Sequence, residues 1–319
     1  MNNIKRIGLI ASMTALSLAL VACGGNEAAN NGGENAANNT EANAGNNVAT
    51  EEAADPSELG AIAVVSREDG SGTRGAFVEI VGILEEDENG EEIDMTTQEA
   101  DIQNSTNGVM TTVAGNPSAI GYISLGSLND TVKALSIDGV EPTAETIIAG
   151  DYAIARPFLL VTKGAPAEGS IEEDFLKFAH SKEGQDLAEQ EGYVRVAGEE
   201  EYEAAGLSGS ITVAGSTSVT PLVEVLVEAY TAHNPDVTIE IQSTGSSAGI
   251  QAATEGTAQI GMSSRNLKDE EKGELEELVL AQDGIAVIVN TENPLADMSL
   301  ENVKNIFLGE MADWSELAE

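Results

Sequence analysis

From about Leu59 onward, short apolar runs rich in β-branched residues alternate with stretches whose apolar residues return at helical spacing. That alternation is the pattern of layered α/β structure. Three segments share one form. Residues 61–65 predict a strand that leads through Ser66-Arg67-Glu68-Asp69 into Gly70-Ser71-Gly72-Thr73 and a helix carrying Phe77 and Ile80. Residues 211–214 lead into Gly215-Ser216-Thr217-Ser218, followed by Pro221, Leu222, Val225, Leu226 and Tyr230 at helical spacing. Residues 238–241 lead through Gln242-Ser243-Thr244 into Gly245-Ser246-Ser247, then Ile250 and Ala253. Each is a strand, a hydroxyl-rich turn and a helix start.

The remaining elements are plainer. Residues 108–113 and 119–123 predict a helix and a buried strand, and residues 153–162 a strand entered through Arg156-Pro157. Residues 172–190 read as one amphipathic helix with Phe175, Leu176, Phe178, Ala179 and Leu187 as its apolar stripe. Residues 285–290 predict another buried strand, and residues 300–307 a short helix before Trp314. The acidic run at 85–92 reads as a solvated loop.

The start of the chain follows a different logic. Lys5 and Arg6 precede an apolar stretch, residues 7–20, too short to span a bilayer as a stable helix. Leu20-Val21-Ala22-Cys23 comes next and resembles the bacterial lipoprotein cleavage box, in which the cysteine becomes lipidated and is the mature N-terminus. Cys23 is the single cysteine, so no intrachain disulfide can form. Residues 24 to about 57 are rich in Asn, Ala, Gly and Glu and lack the apolar bulk to order themselves. They read as a tether of about 34 residues with a root-mean-square span of roughly 30 Å.

At 319 residues the chain is long enough for two domains with real cores. Its formal charge of −41, from 55 acidic and 14 basic residues, excludes a nucleic-acid binder that relies on bulk attraction. It also repels small anions at long range, so any anion must be held by local hydrogen bonds. Arg67 and Arg74 are the only cations in residues 8–131. Arg67 lies within a few residues of two hydroxyls and a helix start, which together have the chemistry of an oxyanion pocket. Serine and threonine at the three turns can serve as helix caps alone. None of the three turns uses a carboxylate cap, which would repel an anion, and neutral hydroxyls can donate to one.

Catalysis finds little support. Residues 70–75 formally satisfy the G-x-G-x-x-G dinucleotide pattern, but Ser66-Arg67-Glu68-Asp69 separates it from the strand and an acidic loop follows its helix. No Walker or G-x-S-x-G motif occurs, and His180 and His233 fall on the polar sides of predicted helix ends. Metal-ligand spacing is missing as well. No enzyme activity, cofactor or metal is expected.

The segments GSTSVTPL, STGSSAGI, IGMSSRNL, AQDGIAVIVN, VSREDGSGTRGAF, NPSAIGYISLG and ARPFLLVTKG resemble the phosphate-binding proteins of bacterial phosphate ABC importers. The resemblance covers nearly everything from Leu59 to Leu317 and implies an α/β, two-lobed periplasmic-binding-protein type II-like fold. Its order is displaced. The family's order implied by the resemblance opens on GSTS and keeps RE-GSGT in its middle, whereas here RE-GSGT comes first. ADPSEL at residues 54–59 and ADWSEL at residues 312–317 look like the two sides of one cut, so a circularly permuted order is expected, with residues 198–209 as the new linker. The expected organisation is a signal peptide at 1–22, a lipidated tether at 23–57, one lobe at 58–155 plus 291–319, and the other at 156–290.

Carried over motif by motif, the resemblance implies that Thr217, Ser218 and Ser246 donate to the ligand from one lobe. Arg67, Ser71, Gly72 and Thr73 would do so from the other. Asp69 would orient Arg67 through an ion pair or stand as a surface carboxylate, and Arg74 reads as a first-turn surface residue. Some family members carry an aspartate that accepts the proton of hydrogen phosphate and so rejects sulfate; the matching place here is Ser264. Arg265 would add a second charge or pair with Asp269. The implied protein is a monomeric extracytoplasmic lipoprotein on the outer face of the cytoplasmic membrane. It would deliver inorganic phosphate to the permease subunits of an ABC importer. The alternative is a tethered oxyanion sensor, or a binder of sulfate or molybdate.

Overall fold

Strand and helix follow one another closely, and the short turns between them set where the polar side chains gather. The computed structural model describes residues 55–87 and 92–318. The signal peptide, Cys23, nearly all of the tether and the centre of the acidic run lie outside the described residues. The chain begins β1 (Ala63–Arg67), α1 (Gly72–Val81), a ribbon of β2 (Leu84–Glu86) and β3 (Glu92–Asp94), β4 (Asp101–Gln103) and α2 (Thr106–Ala114). It continues with β5 (Ala119–Ser124), β6 (Val132–Ala134), β7 (Ser136–Ile137), α3 (Ala144–Ala149) and β8 (Ala155–Lys163). Next come α4 (Ile171–His180), α5 (Lys182–Gln190), β9 (Gly209–Gly215), α6 (Thr220–His233) and β10 (Val237–Ser243). It closes with α7 (Ser246–Glu255), β11 (Ile260–Ser263), β12 (Leu275–Asn290), β13 (Asp297–Met298) and α8 (Leu300–Leu308).

The main sheet has the order β10-β9-β11-β8-β12-β5-β1-β4. At each end three strands are parallel: β10, β9 and β11 at one, β5, β1 and β4 at the other. Antiparallel β8 and β12 join them. Residues 275–284 of β12 run beside β8 and residues 285–289 beside β5, so a single strand serves both ends. The sequence predicts only residues 285–290 as strand. The structure extends it to sixteen residues because the run Leu278-Val279-Leu280-Ala281 is also half to fully buried.

Each end has its own core. Phe77, Tyr122, Ile306, Phe307 and Trp314 are buried around β5 and β1, with Phe77 stacked on Tyr122 at 3.9 Å between ring centres. Phe158, Phe175, Phe178, Leu222, Leu226 and Tyr230 are buried around β8, β9 and β11. The single predicted helix at 172–190 is instead α4 and α5, broken at Ser181. That side chain donates to the Phe178 carbonyl at 2.7 Å and accepts from Gly184 N–H at 3.2 Å, ending one helix and capping the next.

Pro56 and Ser57, placed in the tether by composition, belong to a 3-10 turn (Pro56–Leu59) capped by Asp55. The turn lies beside the segment that ends the described chain. Trp314 N–H donates to Gly60 O at 2.9 Å, Ile62 N–H to Ala312 O at 2.8 Å, and the Trp314 indole to Ser118 O at 3.0 Å.

Where β8 meets β12, Arg156 and Asp283 form an ion pair at 3.1 Å, and both side chains are 1% exposed. Ser124, at the end of β5, donates to the other carboxylate oxygen at 3.0 Å, so the pair is tied to both ends of the sheet. Burial pushes the Asp283 carboxyl up to about 6, against the pull of Arg156 and Ser124.

Arg156→Met should leave a buried carboxylate without its cation and lower the unfolding free energy by about 3–5 kcal/mol. A carboxyl whose folded-state pKa is raised takes its proton in the folded state before the unfolded chain does. Without the pull of Arg156 the Asp283 carboxyl is raised further, so the deficit of this variant shrinks as pH falls towards about 6 and levels off below it, where the parent's carboxyl takes its proton as well. Urea unfolding of variant and parent at alkaline and mildly acidic pH measures this, and equal deficits at both would contradict it.

Candidate functional site

The parallel strands deliver their carboxyl ends, and the helix starts that follow, to one place. Here α1, α2, α6 and α7 begin. Most helices of the fold have a side-chain cap: Ser71 accepts from Arg74 N–H at 3.3 Å for α1, and Ser105 from Gly108 N–H at 3.1 Å for α2. By contrast, α6 and α7 have no side-chain cap hydrogen bond. Their first-turn N–H groups keep the partial positive charge of a helix start. The hydroxyls of Thr217, Ser218 and Ser246 are thereby left for other partners.

Those partners lie across the gap between the two ends of the sheet. Arg67, the last residue of β1 and 1% exposed, donates from Nη2 to Thr217 Oγ1 at 2.9 Å. Thr73 Oγ1 and Ser218 Oγ are 2.7 Å apart. Ser247 N–H donates to Gly70 O at 3.1 Å. Behind this line, Ser216 Oγ donates to Ser264 Oγ at 2.9 Å, and Ser264 N–H donates to Ser246 Oγ at 3.1 Å. Ser71, Thr73, Ser218, Ser246 and Ser264 are all buried. Gly72 is what permits the approach: a Cβ there would stand 2.2 Å from Ser246 Oγ and 2.7 Å from Ser264 Oγ.

All eight residues singled out from the sequence, Arg67, Ser71, Gly72, Thr73, Thr217, Ser218, Ser246 and Ser264, thus converge. A surface groove between α4 and the segment 195–203 lies elsewhere, and none of the eight lines it. Two pairings that the sequence leaves open are fixed in the structure. Asp69 does not touch Arg67; its carboxylate is 99% exposed and pairs with Arg74. Glu68 takes the place instead, accepting from Arg67 Nε at 2.8 Å and Nη2 at 2.9 Å. Arg265 pairs with Glu271 at 2.7 Å rather than with Asp269, which reaches Lys272. Arg74, read as a surface residue, is mostly buried: it donates to Asp94 at 2.7 Å and to Arg67 O at 2.8 Å, bracing the turn. Burial works to raise the Asp94 carboxyl, but Thr96 and Arg74 outweigh it and hold it below the ordinary range.

Four residues at the site escape the sequence reading. Thr106, at the start of α2, lies 3.1 Å from Ser218 Oγ. It belongs to a fourth strand, hydroxyl turn and helix unit, Asp101–Gln103 followed by Ser105 and Thr106, which the pattern could have signalled. Ser216 holds the turn before α6 by accepting from Ser218 N–H at 3.2 Å. Glu68 is the third. The fourth is Arg156, whose Nη1 donates to Ser264 O at 3.0 Å and so links the buried ion pair to the cluster.

Two sets of helix starts facing each other across a pair of crossing strands, with the buried Arg67 guanidinium between them, define a solute-binding protein. The sequence matches the model of the PBP superfamily domain over residues 39–183 and 200–319, and the chain belongs to that superfamily. It is 47% identical over 264 residues to the phosphate-binding protein PstS 2 of Streptococcus agalactiae serotype V, covering 82% of this chain and 90% of that one. Identity to PstS 2 of Streptococcus pneumoniae serotype 4 is 43% over 314 residues, covering 98% and 99%. That alignment runs through nearly the whole of both chains, so the two share one order of segments. A crystal structure of a phosphate ABC transporter phosphate-binding protein from Streptococcus pneumoniae TIGR4 matches with a TM-score of 0.66 at 48% identity. It covers 81% of this chain and 99% of that one.

Gly72→Ala should keep the two faces apart without disturbing either core. Hydrogen exchange should rise at residues 216–219 and 245–247 and stay level at Phe77, Tyr122 and Tyr230. Unchanged exchange at the turns would show that the close approach is not held by Gly72.

Proposed function

We propose that this chain is an extracytoplasmic solute-binding lipoprotein that captures inorganic phosphate between two lobes and delivers it to the permease of an ABC importer. The observation that carries the reading is the buried Arg67 guanidinium of one face bonded to Thr217 of the other, amid helix starts without side-chain caps. The names of the PstS 2 relatives support phosphate as the solute. One lobe comprises residues 58–155 with 291–319 and the other 156–290, with β12 crossing between them. Arg67, Ser71, Gly72 and Thr73 bind from the first, and Thr217, Ser218, Ser246 and Ser264 from the second. Thr73 and Ser218 are 2.7 Å apart, too close to admit an oxyanion between them. Entry therefore requires the lobes to part and capture requires them to close.

The permuted order is part of the proposal. It is supported by the contact between residues 56–60 and 312–314, which would be continuous chain in the unpermuted order. The body is proposed as a monomer held at the outer face of the cytoplasmic membrane by lipid on Cys23.

Calorimetric titration of the soluble body with phosphate, sulfate, molybdate and arsenate should give tight phosphate binding and weak sulfate binding. Equal affinity for phosphate and sulfate removes the phosphate assignment, and no heat with any of them removes binding altogether. Arg67→Ala should cost on the order of 2–5 kcal/mol of phosphate affinity, more than any single hydroxyl deletion, because it takes a charge-assisted bond from a closed site.

The anchor has its own test. Cys23→Ala should move the protein from the membrane to the soluble extracytoplasmic fraction; a variant still sedimenting with membranes refutes lipidation there.

A further inference from the structure

Strand register sets a fourth helix start beside Arg67. In the parallel pair of β1 and β4, Arg67 stands opposite Gln103, and Glu68 N–H donates to Gln103 O at 3.1 Å. The chain therefore leaves β4 level with the guanidinium, and α2 begins soon after at Thr106. Ser105 caps that helix by accepting from Gly108 N–H at 3.1 Å, so the cap does not draw on the Thr106 hydroxyl. Thr111, further along α2, returns its hydroxyl to the helix by donating to Asn107 O at 2.8 Å. Thr106 reaches across the gap instead. Its Oγ1 lies 3.1 Å from Ser218 Oγ and 3.4 Å from Thr217 Oγ1, and the residue is 4% exposed. The plan of α1 is the same: Ser71 caps it, and Thr73 in its first turn lies 2.7 Å from Ser218 Oγ. Ser218 is thus met by one threonine from each of two helix starts on the opposite face.

We infer that Thr106 is a further ligand-binding residue, donating its hydroxyl to the captured oxyanion from the face that carries Arg67. The inference rests on the phosphate-binding reading above and extends it to a residue outside the motifs that carry the resemblance. Hydrogen bonds to an ionised group are roughly twice as strong as those between neutral ones. When an oxyanion enters between the faces, the hydroxyls of Thr106, Thr73 and Ser218 exchange their contacts with one another for charge-assisted bonds to the guest. The N–H groups of Thr106 and Asn107, at the start of α2, have no partner within the helix and add to the donors on that side. Each face then presents a pair of helix starts, α1 and α2 from one and α6 and α7 from the other. Paired starts suit a tetrahedral guest, whose oxygens point to both faces at once.

Thr106→Val keeps the branched shape and removes the hydroxyl, whereas Thr106→Ser keeps the hydroxyl and loses a methyl. The full chain and its variants are titrated with inorganic phosphate by calorimetry. Thr106→Val should weaken phosphate binding roughly 5- to 30-fold, and Thr106→Ser should bind nearly as the parent does. A Thr106→Ser as weak as Thr106→Val would trace the loss to packing and overturn the inference. Thr106→Val is then combined with Ser218→Ala and, separately, with Thr217→Val. A loss that persists in both backgrounds, even if reduced, supports direct contact with the ligand. A loss that vanishes in either background shows that Thr106 only positions that neighbouring hydroxyl, and overturns the inference. A parent protein that binds no phosphate refutes the phosphate reading and this inference together, whereas tight binding by the parent with an unaffected Thr106→Val refutes the inference alone. Thermal unfolding checks that each variant is folded. Should Thr106→Val fail to fold, Thr106→Ala removes the same hydroxyl and is read in the same way.

Discussion

The structure depends on keeping one guanidinium dry. Arg67 is nearly inaccessible in a protein whose sequence carries a formal charge of −41. Removing a cation from water is costly unless hydrogen bonds and opposite charge replace its hydration. Glu68 supplies the charge from the adjacent residue, and Thr217 supplies a bond from the opposite face. The contact between the two faces is therefore also part of the solvation of Arg67.

This arrangement suits an acidic protein. A cluster of lysines would attract anions from a distance, but each would have to be held against a surrounding field of carboxylates. Helix starts and hydroxyls provide donors without net charge, and they act only at contact. Leaving α6 and α7 without side-chain caps preserves those donors, whereas Ser71 and Ser105 cap α1 and α2 in the ordinary way. The same residue type thus has two roles at neighbouring turns. Which role it takes follows from the backbone: Thr217 and Ser218 precede their helix by a turn rather than standing at its cap position.

The parts of the site legible in the sequence were those with a local signature. A strand, a hydroxyl turn and a helix can be read from about fifteen consecutive residues, and three such units yielded Arg67, Thr73, Thr217, Ser218 and Ser246. The fourth unit was hidden because β4 is three residues long and Ile102 is its only apolar residue. Glu68 and Asp69 are adjacent and chemically alike, so only the direction of the turn at Gly70, with its φ of +84°, decides which carboxylate reaches Arg67. The break at Ser181 was masked because the apolar stripes of α4 and α5 follow one another almost in phase. Arg156 and Asp283 are far apart in sequence, and their pairing exists only once β8 lies beside β12.

That last pair links the fold to the site in a way that neither motif nor composition suggests. Asp283 is bonded to Ser124 of one end of the sheet and to Arg156 of the other. Arg156 in turn holds the backbone carbonyl of Ser264, whose N–H and hydroxyl engage Ser246 and Ser216. This chain of bonds runs from one end of the sheet through β8 and β12 to the hydroxyl cluster. Buried ion pairs contribute less to stability than well-packed apolar groups of the same volume. Their directional bonds, unlike apolar contacts, fix one register between strands. At the crossing of β8 and β12, Arg156 and Asp283 tie the register of the two strands to Ser124 and to the Ser264 backbone. The charge buried beneath the cluster thus holds Ser264, and through it Ser246 and Ser216, in place on one face of the site.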